Sequence, residues 1–115
     1  MKLRALIVDD EIELRKSVAT ILKKIEPELH IEFDIEESSN GLDAVQKANT
    51  DFFDLILMDV KMPELDGLSA LQQIKEHNPQ TFILIMTAHS NLNDAVLAIK
   101  EGAYDYVEKP VSSEK

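Results

Sequence analysis

Four short apolar runs in this chain each end in a residue that phosphoryl or metal chemistry can use. LRALIVDDE closes on Asp9, Asp10 and Glu11, and LILMD closes on Asp59. FILIMT closes on Thr87, and YDYVEK closes on Lys109, directly before Pro110. In an open parallel sheet, ligands bind outside the carboxyl ends of the strands. If the four runs are neighbouring parallel strands, three aspartates, a hydroxyl and an ammonium converge on one crevice.

Each residue also has a plainer reading. Asp9, Asp10 and Glu11 suit the first turn of a helix, where acids face the positive end of the dipole. Thr87 suits a strand as any β-branched residue does, and Lys109 could be a surface lysine. Asp59 is harder to explain that way, because a carboxylate straight after a buried run has little local purpose. Gathering three carboxylates costs like-charge repulsion unless a cation is present. Oxygen-only ligands with room for water suit Mg²⁺, and the trio reads as a magnesium site.

The elements that must hold these residues follow from periodicity. Leu14, Val18, Ile21, Leu22 and Ile25 lie on one helix face, and Pro27 is expected to end that helix. Ile31, Phe33 and Ile35 alternate with Glu32, Asp34 and Glu36, the pattern of a half-buried edge strand. SSNG (residues 38–41) is a turn and helix start, continued by Ala44, Val45 and Ala48. Leu55 to Met58 and Phe82 to Met86 are unbroken apolar runs, expected as strands buried on both faces. Leu68, Leu71 and Ile74 mark a third helix before Pro79. Asn91 or Asn93 would cap a fourth, carrying Leu92, Ala95, Val96 and Ile99 and stopped by Gly102. Tyr104 to Glu108 is the last strand.

This alternation predicts a doubly wound α/β domain with a five-stranded parallel sheet. The flavodoxin-like order 2-1-3-4-5 sets the Ile31 strand at an edge and the switch point between strands 1 and 3. Asp9, Asp10 and Asp59 then share one crevice.

Composition narrows the field further. At 115 residues the chain suits one domain, and 44% hydrophobic with 30% charged residues is a globular composition. Absence of Cys excludes disulfides and thiolate chemistry and is compatible with a cytoplasmic setting. No apolar run approaches the ~20 residues of a membrane span. With 12 Lys+Arg against 22 Asp+Glu the net charge is −10, which disfavours direct binding to nucleic acid or anionic membrane.

LIVDDE, LILMDVKMPELDG, ILIMTA and AYDYVEKP, in that order and spacing, resemble the receiver domain of two-component response regulators (the CheY-like superfamily) from the start of the chain to Pro110. The resemblance implies that Asp59 is the phosphoacceptor, taking a phosphoryl group from a phosphohistidine on a sensor histidine kinase or phosphotransfer protein. It implies Mg²⁺ held by Asp10, Asp59 and the Lys61 carbonyl, with Asp9 acting through water. Thr87 and Lys109 would contact phosphoryl oxygens, and Tyr106 would be the switch aromatic that follows Thr87. The Lys109–Pro110 bond would be cis. Such a module is a signalling receiver rather than an enzyme, and its output passes to a downstream effector.

Secondary residues have plainer expectations. Lys61 and His89, two positions beyond functional residues, would tune dephosphorylation. His30 and His77 are expected as exposed loop residues, Met58, Met62 and Met86 as packing, and Leu97 as an unremarkable exposed leucine. The chain departs from the family at its end, where only VSSEK follows Pro110. A fifth helix is therefore expected to be largely absent, as in a segment cut from a longer regulator or a receiver whose missing helix is replaced. Apolar surface near strands 1 and 5 would then be bare, favouring dimerisation or lower stability. Two rival readings are a receiver-like interaction module independent of phosphate and a small aspartyl-phosphate phosphohydrolase. The latter generally wants a second Asp two residues after the first, where this chain has Lys61.

Overall fold

The computed structural model describes residues 1–62, 65–88 and 92–109. Nine elements alternate along them: β1 (Lys2–Val8), α1 (Ile12–Leu29), β2 (Glu32–Ser38), α2 (Gly41–Thr50), β3 (Leu55–Asp59), α3 (Gly67–His77), β4 (Phe82–Thr87), α4 (Leu92–Lys100) and β5 (Asp105–Glu108). All strand pairs are parallel and the order is β2-β1-β3-β4-β5. The expected topology is the one observed, with four helices among the described residues.

Alternation along the strands splits the core in two. Leu6, Val8, Ile56, Met58, Ile83 and Ile85 face α2, α3 and α4, whose Ala44, Val45, Ala70, Leu71, Ile74, Ala95 and Ala98 complete the larger cluster. Ala5, Ile7, Leu57 and Met86 face the other way, onto Val18 and Leu22 of α1 and Phe33. That second face carries one helix among the described residues. Its lower end holds an apolar trough of about 580 Å³, lined by Leu3, Phe33, Leu55, Phe82, Leu84 and Tyr104 among others.

The trough corrects one expectation. Phe82 to Met86 is not buried on both faces: Phe82 is 57% exposed and Leu84 half-buried. Ile83 and Ile85 point into the three-helix layer, whereas Phe82 points to the thinly covered side and meets Tyr104 edge-on at 5.5 Å. A run of apolar residues records burial of the strand, not the depth of each face.

Two helix expectations also change. Pro27 lies inside α1 rather than ending it, and the helix runs to Leu29. A proline in the last turn forfeits its own N–H bond, but the chain closes at His30 in left-handed conformation (φ 56°), with Ile31 N donating to Glu26 O at 3.2 Å. On α4 the buried residues are Ala95 and Ala98, while Val96, Leu97 and Ile99 are exposed. Alanines let a short helix approach the sheet closely, so its contact stripe is narrower than its apolar stripe. Asn93 lies within α4 and is not its cap; Asn91 lies outside the described residues. Gly102, at φ 120°, takes the positive-φ stop after α4. Asn40 and Asp66 cap α2 and α3 by accepting from Asp43 N (2.7 Å) and Ser69 N (2.9 Å). His77 closes α3 as an exposed helical residue, not a loop one. The expected absence of a fifth helix concerns residues 110–115, outside the described residues.

One clamp fastens α1 to the edge strand. Glu26 accepts the Phe33 N–H at 2.6 Å, and Lys23 bridges Glu26 (3.2 Å) and the Phe33 carbonyl (2.6 Å). The Phe33 hydrogen bond, helped by Lys23 and partly opposed by burial, holds the Glu26 carboxyl below its usual pKa. A lowered folded pKa stabilises the fold above the ordinary glutamate value of about 4.3, and the contribution is lost as pH falls through the folded pKa. Glu26→Gln should therefore melt below wild type at pH 7, with the gap closing in acid. A gap that stays constant from pH 7 to 3 would exclude the charge as its source.

Candidate functional site

The carboxyl ends of β1, β3, β4 and β5 meet at one point, and each brings a polar group. Asp9 follows β1 and is fully buried, Asp59 ends β3 at 6% exposure, and Thr87 ends β4 with no exposure. Lys109 follows β5, its backbone N donating to Thr87 O at 2.8 Å. Carboxylates with no reach to water require compensation. Lys109 supplies it, with Nζ 2.9 Å from Asp9 Oδ2 and 3.2 Å from Asp59 Oδ2; Glu11 stands at 3.9 Å.

The charges do not balance evenly. Burial pushes the Asp59 carboxyl above its ordinary pKa; Lys109 pulls it back, and Asp9 adds to the rise. Burial works against the Lys109 ammonium, yet its contacts with Asp9 and Asp59 outweigh burial and hold its pKa above the ordinary lysine value.

Local structure fixes the carboxylates. Asp9 Oδ1 accepts the Glu11 N–H at 2.8 Å and so fixes the turn into α1, but it is not a helix cap. The N-cap is Glu11, whose side chain makes no capping bond, and the acid in the first turn is Glu13. The other Asp9 oxygen, Oδ2, is buried and meets the Lys109 ammonium at 2.9 Å as an ion pair. Asp59 Oδ1 accepts the Lys61 N–H at 3.4 Å. Gly67, the first residue of α3, packs directly on this strand end. A Cβ there would lie 2.2 Å from the Asp59 carbonyl oxygen and 2.9 Å from Val60 Cα, so only glycine lets α3 start where it does.

Asp9, Asp10 and Asp59 each offer a carboxylate oxygen, all within 4.8 Å of one another, with Asp10 exposed. Three hard oxygen donors so close together, with one carboxylate open to solvent, fit a divalent cation such as Mg²⁺. The residues present match the group that the carboxylates imply.

Other residues occupy the rim. Thr87 Oγ1 donates to Ala88 O at 3.0 Å. Tyr106 is half-buried and packs on the larger core cluster, beside Ile85 in register. The Lys61 side chain reaches Asp94 of α4 at 3.2 Å. Met58 and Met86 are fully buried packing residues and Met62 is partly buried against the larger cluster; His89 and Pro110 lie outside the described residues. Sequence reasoning missed Arg15, Glu37 and Asp94. Arg15 stands four residues after Glu11, beside the apolar stripe of α1, and that offset from the acidic run was its one visible signal.

A 2-1-3-4-5 parallel sheet with an acidic centre at its switch point defines a doubly wound domain of the flavodoxin-like class. The chain belongs to the response regulator receiver domain family, whose model matches residues 5–115. It is similar to the transcriptional regulatory protein ZraR of Klebsiella oxytoca, 41% identical over 110 residues covering 96% of this chain and 24% of that protein. The chain thus spans about a quarter of the length of that relative. It is also similar to the chemotaxis protein CheY of Listeria monocytogenes, 35% identical over 113 residues, 98% of this chain and 91% of that one. Among solved structures, the receiver domain of sensor histidine kinase PA1611 from Pseudomonas aeruginosa superposes with a TM-score of 0.83 at 25% identity, covering 99% and 90% of the two chains. That structure has a magnesium ion coordinated in its active-site cleft. No helix among the described residues is long and apolar enough to cross a membrane.

Proposed function

We propose that Asp59 accepts a phosphoryl group from a phosphohistidine on a sensor histidine kinase or phosphotransfer protein. An Asp59 carboxylate oxygen attacks phosphorus in line, and the P–N bond breaks with its electron pair going to nitrogen. A neutral imidazole leaves, keeping the proton its other ring nitrogen already carried. The observation that carries this reading is a buried aspartate at a strand end, facing an ammonium and two further carboxylates. An ionised carboxylate needs no general base, so the protein's work is positioning and charge neutralisation.

Asp10, Asp59 and the Lys61 carbonyl would hold Mg²⁺, with Asp9 acting through water. The ion, when bound, neutralises charge on the transferring group. Lys109 turns from the carboxylates to a phosphoryl oxygen, and the Thr87 hydroxyl gives up Ala88 O to bind another. Tyr106 responds to the Thr87 position, and the domain passes the state to a downstream effector in the cytoplasm. ZraR, at 41% identity, is a transcriptional regulatory protein by name, which supports an effector of that kind. Lys61 in place of a second Asp speaks against a phosphohydrolase.

Intact mass after incubation with acetyl phosphate tests the reading. One addition of ~80 Da, the phosphoryl group transferred to a single site, is expected with Mg²⁺ and none with chelator. Absence of any adduct at saturating acetyl phosphate and Mg²⁺ would favour an interaction module that works without phosphate.

A further inference from the structure

Arg15 is the most enclosed exception to the rule that arginines sit in water. Its side chain keeps only 13% exposure, and arginine is buried to that degree only when its donors are used. Two are accounted for: Nη1 donates to the backbone carbonyl of Asp9 at 2.6 Å, and Nε donates to Glu37 Oε1 at 2.8 Å.

These bonds complete the fixation of one residue. The Asp9 N–H donates to Ser38 O at 3.1 Å. Its Oδ1 accepts from Glu11 N, and its Oδ2 faces Lys109. The carbonyl is the remaining polar group, and Arg15 takes it. That carbonyl belongs to the peptide joining Asp9 to Asp10, so its orientation sets the backbone position from which the exposed Asp10 carboxylate extends. Glu37, next to Ser38 at the end of β2, holds the guanidinium from the far side. Lys47 of α2 in turn donates to the Glu37 carbonyl.

We propose that Arg15, held by Glu37, is a positioning residue that aims the Asp9–Asp10 peptide and so prepares the acidic trio for a divalent cation. The inference rests on the magnesium reading above. Groups that orient ligands from behind typically cost 10–100-fold in metal affinity when removed. Charge alone predicts the reverse, since deleting a cation beside a cation site should tighten it. The two effects therefore differ in sign.

Mg²⁺ titration calorimetry on the full chain, run well below every melting temperature, separates them. Arg15→Met should weaken Mg²⁺ binding about tenfold or more. Arg15→Lys keeps a donor for the Asp9 carbonyl but loses the fork, and should recover most of the affinity. In the Arg15→Met background, Glu37→Gln should add nothing, because the residue it acts through is gone. Melting curves in chelator report folding separately from binding. If wild type takes up no Mg²⁺, the magnesium reading itself fails and this inference with it. If wild type binds and Arg15→Met binds equally or more tightly, the magnesium reading stands and the positioning role is overturned.

Discussion

Asp59→Asn should abolish phosphoryl labelling and, in metal-free buffer, make the domain more stable than wild type. The first effect follows from losing the nucleophile. The second comes from the electrostatics of its pocket. Burial and the neighbouring Asp9 raise the Asp59 pKa more than Lys109 lowers it. A folded carboxyl with a raised pKa binds its proton more tightly than the unfolded chain does. Its stabilising effect is therefore present in acid and is lost as pH rises through the folded pKa. At pH 7 the ionised Asp59 is a net cost. Asparagine removes the charge and keeps the shape, while Lys109 retains Asp9 at 2.9 Å. Relief of about 1 kcal/mol would raise Tm by roughly 4 °C in a domain this small. The gain should shrink as pH falls through the raised folded pKa, where wild-type Asp59 also protonates. It should shrink again with added Mg²⁺, which stabilises wild type by mass action. Undiminished labelling of the variant would refute the phosphoacceptor assignment, and a lower metal-free Tm would mean that the Lys109 attraction outweighs burial.

The topology and the converging strand ends were legible because both depend on periodicity and on the parallel-sheet rule. Asp9, Asp59, Thr87 and Lys109 each stand at the end of an apolar run, and order 2-1-3-4-5 leaves them nowhere else to meet. Several features were hidden, each for a separate physical reason. Phe82 reads as core from its neighbours, but its burial depends on what covers one face of β4, which no local pattern encodes. Val96 and Ile99 read as contact residues, whereas Ala95 and Ala98 are the ones small enough to sit against the sheet. Pro27 reads as a stop, although a proline in the last turn removes only one bond.

Arg15 and Asp94 were missed for a different reason. Glu37 and Lys61, which pair with them, come from elements brought near only by the tertiary fold, and the Asp9 group that Arg15 meets is a backbone carbonyl, which no residue type marks. Charge pairing across elements has no period to read. The acidic trio shows the converse case: its members were visible because strand ends mark them, even though Asp59 lies 50 residues after Asp9 in sequence.

Lys109→Met should be the most destabilising single change at the site. Nζ contacts two buried carboxylates at 2.9 and 3.2 Å, and its own side chain is 17% exposed. Removing one partner of a buried pair leaves uncompensated charge and costs about 3 kcal/mol, the lower end of the usual range because Lys109 is not wholly enclosed. Methionine keeps the length of the stem, so lost packing contributes little. Divalent cation should restore more melting temperature to this variant than to wild type, since among the described residues no other side-chain cation pairs with the Asp9 and Asp59 carboxylates. The pH response should change as well. In wild type the raised Lys109 pKa gives a stabilisation that is full below the ordinary lysine value of about 10.4 and is lost as pH rises through the folded pKa. The variant lacks that alkaline loss. Without the ammonium, only the Lys61 N–H still opposes burial and Asp9 in raising the Asp59 pKa, so the variant should gain stability as pH falls from 7 through that raised pKa. Labelling by acetyl phosphate should slow about 100-fold, the cost of deleting one charged contact to a transferring group. Equal Tm for variant and wild type in chelator, with the same pH dependence, would mean that Lys109 does not carry the charge balance of the centre.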